Sequence, residues 1–233
     1  MPNSLLKLAL SPLLALQALR VRQSALLLPE AQGARQGETG QGKDYRLLIL
    51  GDSSAAGVGA DHQAQALSGQ LAKRLGSACR LKWHLEAKTG ATTASTLSYL
   101  NKRPPQSFDG ALVILGVNDV TRLTAPSRWQ AQQDALHVLL QKKFAVNHIF
   151  RSGLPPMGQF PLLPQPLRFI LGADAAALDA TLAKICQTSS RLHHSPLNLP
   201  FAPQYIARDG FHPSEEAYAK WADLLAPLIL EHL

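Results

Sequence analysis

The sequence predicts a three-layer α/β/α domain wound around a parallel sheet. Two unbroken apolar runs and a strand–helix alternation predict it. Leu47-Leu48-Ile49-Leu50 ends at Gly51, and Ala111-Leu112-Val113-Ile114-Leu115 ends at Gly116. A run that is apolar at every position suits a strand covered by helices on both faces, which is the situation in a parallel sheet. Amphipathic segments fill the intervals from Tyr45 onward. Hydrophobic residues make up 46% of the 233 positions, enough for the core of one such domain.

In chain order, residues 1–44 come first and stand apart from the domain expected over 45–233. Leu5 to Leu19 is apolar-rich but interrupted by Lys7 and Pro12, and Arg20 and Arg22 follow. It is too short and broken for a spanning helix of about 20 apolar residues. No cleavage site of small residues marks a signal peptide. Residues 1–28 therefore read as a short amphipathic helix, docked on its own domain or resting on a membrane surface. Residues 30–44, rich in Gly, Gln and charge, read as a loop or linker. Further strand candidates are Arg80 to Ala87, His148 to Arg151 and a short segment near Leu197 to Phe201, between Pro196 and Pro200. Helices are expected over roughly 61–75, 92–102, 127–143, 173–193 and 214–231. In the last, Ser214 is placed to cap, Glu215 and Glu216 suit the first turn, and Ala217, Trp221, Leu224, Leu225, Leu228 and Ile229 form an apolar face. Residues 154–171 carry Pro155, Pro156, Pro161, Pro164 and Pro166, and are expected as a rigid loop. That loop is either a structural connection or a wall of a ligand pocket at the carboxyl edge of the sheet.

Composition excludes several roles. The net charge of +7 invites a nucleic-acid partner, but the basic residues are scattered and aromatics are only 6%. Neither a basic patch nor a base-stacking surface is expected. Anionic lipid surfaces or acidic substrates fit the charge as well. Cys79 and Cys186 read as two buried free thiols. No zinc spacing exists, and the neighbours His193 and His194 point apart, so neither a metal nor a cofactor is expected. The expected location is the cytoplasm or a membrane surface, ahead of secretion.

Three blocks point to chemistry. The first strand runs into Gly51-Asp52-Ser53-Ser54, followed by Gly57 and Gly59. A serine there lies at the carboxyl edge of the sheet, where a helix N-terminus directs amide donors. A capping serine in a Gly-rich turn is the plain alternative. Gly116-Val117-Asn118-Asp119 follows the other apolar run, and brings Asn118 to the same edge as a donor for a developing oxyanion, or merely as a turn former. Asp209-Gly210-Phe211-His212-Pro213 precedes the last helix. A serine hydroxyl needs a base with a pKa near neutrality, and the base needs a carboxylate to fix its tautomer. One loop presents both.

Together the blocks resemble, in order and character, those of the SGNH hydrolases, often called GDSL esterases and lipases. Gly51-Asp52-Ser53 resembles the nucleophile block, Gly116-Val117-Asn118-Asp119 the Gly-x-Asn-Asp block, and Asp209-Gly210-Phe211-His212 the Asp-x-x-His block. Lys88-Thr89-Gly90-Ala91-Thr92-Thr93 looks like the remaining block, whose glycine supplies an oxyanion-hole amide. The resemblance covers residues 45–233 and is nearest to small bacterial esterases and lysophospholipase-like members. Ser54-Ala55 departs from the bulkier residue that many members carry after the nucleophile. The resemblance implies a flavodoxin-like sheet of about five strands. It also implies hydrolysis of carboxylic esters, lysophospholipids or acyl thioesters by Ser53, His212 and Asp209, with Ser53, Gly90 and Asn118 in the oxyanion hole. The substrate is then a small-molecule or lipid ester. Ser54 is expected to cap the following helix.

The alternative within this fold is an inactive binding domain. An α/β-hydrolase elbow is excluded because Ala55 stands where Gly-x-Ser-x-Gly needs glycine. Gly37-Glu38-Thr39-Gly40-Gln41-Gly42-Lys43 resembles a phosphate loop, but Asp44 replaces the Ser/Thr and the loop precedes a strand.

Overall fold

The computed structural model describes residues 4–200 and 202–233. Its elements are α1 (Ser4–Ser24), β1 (Gln36–Thr39), β2 (Asp44–Gly51), α2 (Leu67–Leu75), β3 (Arg80–Ala87), α3 (Thr93–Lys102), β4 (Gly110–Ile114), α4 (Val117–Thr121), α5 (Pro126–Lys143), β5 (His148–Ser152), α6 (Leu167–Cys186), β6 (Leu192–Ser195) and α7 (Glu215–Leu230). Their order in the sheet is β1-β3-β2-β4-β5-β6. The last five pair in parallel, and β1 adds an antiparallel edge to β3.

The two apolar runs are the central strands. In β2, Leu47 and Ile49 point to one face, with Leu67, Leu71 and Leu75 of α2 and Tyr218, Trp221, Leu225 and Ile229 of α7. Leu48 and Leu50 point to the other, with Leu100 of α3 and Leu136, Leu140 and Phe144 at α5. Side chains alternate along a strand, so a strand clad on both sides must be apolar throughout. Counted among themselves, the parallel strands run 2-1-3-4-5. The topological switch point, where a doubly wound sheet opens a crevice, therefore lies between the carboxyl ends of β2 and β4. Cys79 and Cys186 are buried and unpaired.

Several boundaries differ from expectation. The segment expected as a linker contains β1, so a division at residue 44 would cut through the sheet. Gly37 lets β1 lie under the Trp83 ring: a Cβ there would meet that ring at 2.2 Å. The phosphate-loop-like residues are thus an edge strand and the turn after it. The fifth parallel strand is β6, at 192–195, within and beyond the end expected for a helix over 173–193. Residues 197–200 are irregular, and Phe201 lies outside the described residues. Helix α6 starts at Leu167, directly after Pro166, so the Pro-rich loop is shorter than expected. Helix α2 begins only at Leu67, and residues 52–66 form successive turns.

Helix α1 carries Pro12 within it and packs on α6. Leu14 and Val21 join the cluster of Leu163, Leu167 and Leu171. The Gln17 amide donates to the Gln165 carbonyl at 2.6 Å and accepts from the Leu167 amide at 3.1 Å. Lys7 pairs with Asp174. The opposite side is also apolar: Leu8, Leu16 and Leu19 are 73%, 45% and 52% exposed. Among the described residues, no helix is long and apolar enough to cross a membrane.

Candidate active site

Ser53 follows β2 by two residues and begins a single helical turn, in which the Ala56 amide donates to the Asp52 carbonyl at 2.9 Å. The loop ahead of α7 reaches the same point. His212 Nε2 lies 2.9 Å from Ser53 Oγ, and His212 Nδ1 lies 2.5 Å from Asp209 Oδ2. Nδ1–H donates to the carboxylate, which leaves the Nε2 lone pair facing the serine hydroxyl, the tautomer that a general base requires. Asp209 Oδ1 accepts from the amides of Phe211 and His212, each at 3.0 Å. Burial acts to raise the Asp209 pKa, but these three hydrogen bonds outweigh it and hold the carboxyl below its ordinary range. Asp209 therefore stays ionised beside the imidazole.

Two glycines and a helix bring the loops together. At Gly59, with φ of 104°, an added Cβ would stand 2.1 Å from the Pro213 carbonyl oxygen. Only glycine permits both that conformation and that approach. Gly210, with φ of 70°, turns the chain between Asp209 and His212. Ser214 caps α7 by accepting from the Ala217 amide at 3.2 Å, and the Tyr218 hydroxyl donates to the Val58 carbonyl at 2.7 Å. The helix that follows His212 is thus tied to the turn that follows Ser53.

The remaining predicted residues are placed around this relay. The Asn118 amide, at the start of α4, donates to Asp52 Oδ2 at 3.2 Å, which occupies one of its two N–H groups and leaves the second. Gly90 follows β3 and has φ of 79°. It lines a polar cleft with Lys88, Thr89 and Arg122, apart from the apolar pocket beside Ser53. Among the described residues, the backbone amides of Ser53 and Gly90 make no hydrogen bond. Ser53 is buried, a buried amide seldom goes unpaired, and a free N–H at that position suits an oxyanion hole.

Two features escaped the sequence reading. Asp52 is the organising carboxylate: Oδ1 accepts from the Ser54 amide at 3.0 Å and Oδ2 holds Asn118. Burial pushes its pKa up to about 6, against the pull of those hydrogen bonds and of His212. Asp52, and not Ser54 as expected, caps the turn. An aspartate two residues before an amide it bonds is a common turn device, and that was the available signal. The second feature is Trp221, which bonds Ser152 Oγ through Nε1 at 3.1 Å and lines the pocket as well as the core.

The pocket is a narrow cleft of about 70 Å³. Ile114, Leu115, Leu154, Leu197, Leu199 and Phe160 give it an apolar lining, and Ser53 and His212 stand in it. The Pro-rich segment is one wall. Its Leu162 amide donates to the Gly210 carbonyl at 3.2 Å, and Phe160 meets Phe211 edge-on at 4.9 Å. The wall reading of that segment therefore holds together with the structural one.

A serine, an imidazole and a carboxylate thus stand in hydrogen-bond series at the switch point of a doubly wound sheet. A model of the GDSL-like lipase/acylhydrolase family matches residues 49–220, and the chain belongs to that family. It is similar to a GDSL-like esterase of Mycobacterium tuberculosis, with 29% identity covering 78% of this chain and 60% of the relative. The chain thus spans about 60% of that relative's length. Among solved structures it is similar to a family 3 carbohydrate esterase of Clostridium thermocellum, at 18% identity and a TM-score of 0.63, covering 81% of this chain and 98% of that one. It is also similar to an extracellular lipase of Streptomyces rimosus, at 18% identity and a TM-score of 0.58, covering 81% and 100%. These two likenesses are of fold.

Gly59→Ala is expected to push Pro213 and His212 away from Ser53. A displacement of about 1 Å at a reacting group costs about a hundredfold in rate. Steady-state kinetics should show that loss in kcat while circular dichroism reports a folded chain. Unchanged kcat would mean that the close approach does not position His212.

Proposed function

We propose that this chain hydrolyses carboxylic esters through an acyl-enzyme on Ser53, with His212 as general base and acid and Asp209 as its orienting carboxylate. One observation carries the reading: the imidazole of His212 bridges Ser53 Oγ at 2.9 Å and Asp209 at 2.5 Å. Ser53 Oγ attacks the ester carbonyl as its proton passes to Nε2. The carbonyl oxygen becomes an oxyanion, received by the amides of Ser53 and Gly90 and by the second N–H of Asn118. Collapse breaks the ester bond, and the alcohol leaves with the proton from Nε2. Water then attacks the acyl-enzyme, gives its proton to Nε2, and releases the carboxylic acid as Ser53 is reprotonated.

The apolar pocket beside Ser53 favours an acyl group with a hydrocarbon chain, as in lysophospholipids, other lipid esters or acyl thioesters, over an acetyl group on a sugar. Burying each methylene contributes about 0.8 kcal/mol. A panel of nitrophenyl esters of increasing chain length should therefore show kcat/KM rising beyond acetate. Ser53→Ala should abolish turnover, by as much as about a millionfold, and a fluorophosphonate should label the native chain at Ser53 only. Ser54→Ala should retain most turnover, since Asp52 supplies the cap. Labelling at Ser54, or turnover in Ser53→Ala, would assign the nucleophile elsewhere.

Asn118→Ala should lower kcat by about a hundred- to a thousandfold with a smaller change in KM, the cost of one oxyanion donor. Unaltered kcat in a folded variant would remove Asn118 from the mechanism.

The reading extends to the N-terminal helix. An α1 that is apolar on both sides, with Arg20 and Arg22 near its end, suits an anionic lipid surface that receives Leu8, Leu16 and Leu19. Co-sedimentation with anionic vesicles should fall in a Leu8→Ser, Leu16→Ser, Leu19→Ser variant and in high salt. Equal binding by that variant would leave α1 as a structural addition.

A further inference from the structure

The opposite edge of the sheet holds a second cluster of chemistry. His148 is the first residue of β5, His193 the second of β6, and His232 follows α7. The two strands pair in parallel, with Phe150 beside His193, so both histidines lie at their amino ends, away from the edge that holds Ser53. His148 Nδ1 is 3.0 Å from His193 Nε2. The His232 ring stacks at 4.6 Å on His148 and lies 4.0 Å from His193. One ring nitrogen from each residue lies within 4.8 Å of the other two, and all three side chains are half-buried.

We propose that His148, His193 and His232 form a binding site for a borderline transition-metal dication of the zinc class. Imidazole nitrogen is a preferred ligand of such ions, bound at about 2.0–2.1 Å. Three nitrogens on a tetrahedral ion at that distance stand about 3.3 Å apart, so the set closes from within 4.8 Å as the stacked His232 ring turns to aim its nitrogen at the ion. The hydrogen bond between His148 and His193 holds two ring nitrogens 3.0 Å apart, near the tetrahedral separation, and the donor of the pair would give up its proton to an ion. The third ligand arrives from a different element, so the ion would join the end of α7 to β5 and β6. The fourth position stays open to water or an anion. Hard cations such as calcium are excluded, because no carboxylate belongs to the cluster. The charged neighbour acting on His148 is Arg191, a cation, so affinity must come from the three nitrogens. Sequence inspection misses the site because its residues are 45 and 39 positions apart in the chain, and because His194 beside them turns the other way, to Asp179 at 3.0 Å.

The test uses the untagged full chain, stripped of metal with a chelator. Titration with zinc should give one equivalent bound at this site. Saturation to about a hundred times Kd should raise Tm by about 5–10 °C. Cobalt should give the visible absorption of a low-symmetry four-coordinate ion, and calcium should do nothing. His232→Ala and His193→Ala should each lose the bound equivalent and the Tm rise, while metal-free His232→Ala keeps its fold and its ester turnover. His212→Ala, in which the Asp209–His212 pair is gone, should still bind. No zinc bound by the native chain, binding that persists in His232→Ala, or binding lost in His212→Ala would overturn the proposal.

Discussion

The hydrogen bond between Ser53 and His212 joins residues 159 positions apart, and the rest of the site depends on it. Neither partner is held by its own strand. Ser53 lies on a turn past β2, and His212 lies on a loop whose own bonds fix Asp209 more firmly than they fix the ring. What brings the two together is backbone contact. The Pro213 carbonyl rests against Gly59, Tyr218 reaches back to Val58, and α7 packs along α2 on one face of the sheet. Hydrophobic burial under α7 supplies the free energy, and the glycine lets that burial close the gap. The approach of Ser53, His212 and Asp209 is thus a consequence of helix packing, not of any attraction between the three side chains.

Asp52 plays a different part beneath the relay. A carboxyl buried in low dielectric raises its own pKa unless it is paired. Here the pairing is incomplete: amide donors from Ser54 and Asn118 lower the value, yet it stays near 6. Such a group is costly to the fold at neutral pH and worth keeping only where its acceptors hold something in place. It holds the Asn118 side chain at the end of β4 and the backbone of Ser54 at the end of β2. It thereby spans the crevice at which the sheet order reverses, and it holds the Asn118 amide from one side while shaping the turn that carries Ser53 from the other.

Most of the proposed site was legible because its residues sit in short contiguous blocks, each beside an element whose period is plain. Ser53 and Asn118 follow the two strands with unbroken apolar runs, and Asp209 with His212 precede the best-patterned helix. What was illegible lacks a period. Strand β1 is polar and Gly-rich, and it exists because Gly37 fits under Trp83, a contact no local pattern announces. Strand β6 reads Leu-His-His-Ser, and it pairs with β5 at the exposed side of the sheet, so only its neighbour defines it. The start of α6 was obscured by prolines that in fact precede the helix, with Pro166 immediately ahead of Leu167, where a missing N–H costs nothing. The role of Asp52 was hidden because a turn-forming aspartate and a carboxylate that positions a donor look alike until its partners are known.

Three segments that seem unrelated along the chain meet at the pocket wall. The Pro-rich stretch from Leu154 to Pro166 begins where Asp179 accepts from the Leu154 amide at 2.9 Å. Along its length Leu162 bonds Gly210, in the loop that carries His212. At its far end Gln17 of α1 bonds both Gln165 and Leu167. Proline fixes its own backbone and lowers the entropy lost on ordering, so a wall built this way keeps its shape without help from a sheet ladder. That rigidity suits the proposed acyl pocket, because an apolar cavity that is already formed loses less on ordering when a hydrocarbon enters it. The N-terminal helix then acts as a buttress at one end of the wall while its outward leucines remain uncovered. Whatever surface those leucines meet is therefore joined to the pocket by hydrogen bonds and packing alone, through a segment with little freedom to yield.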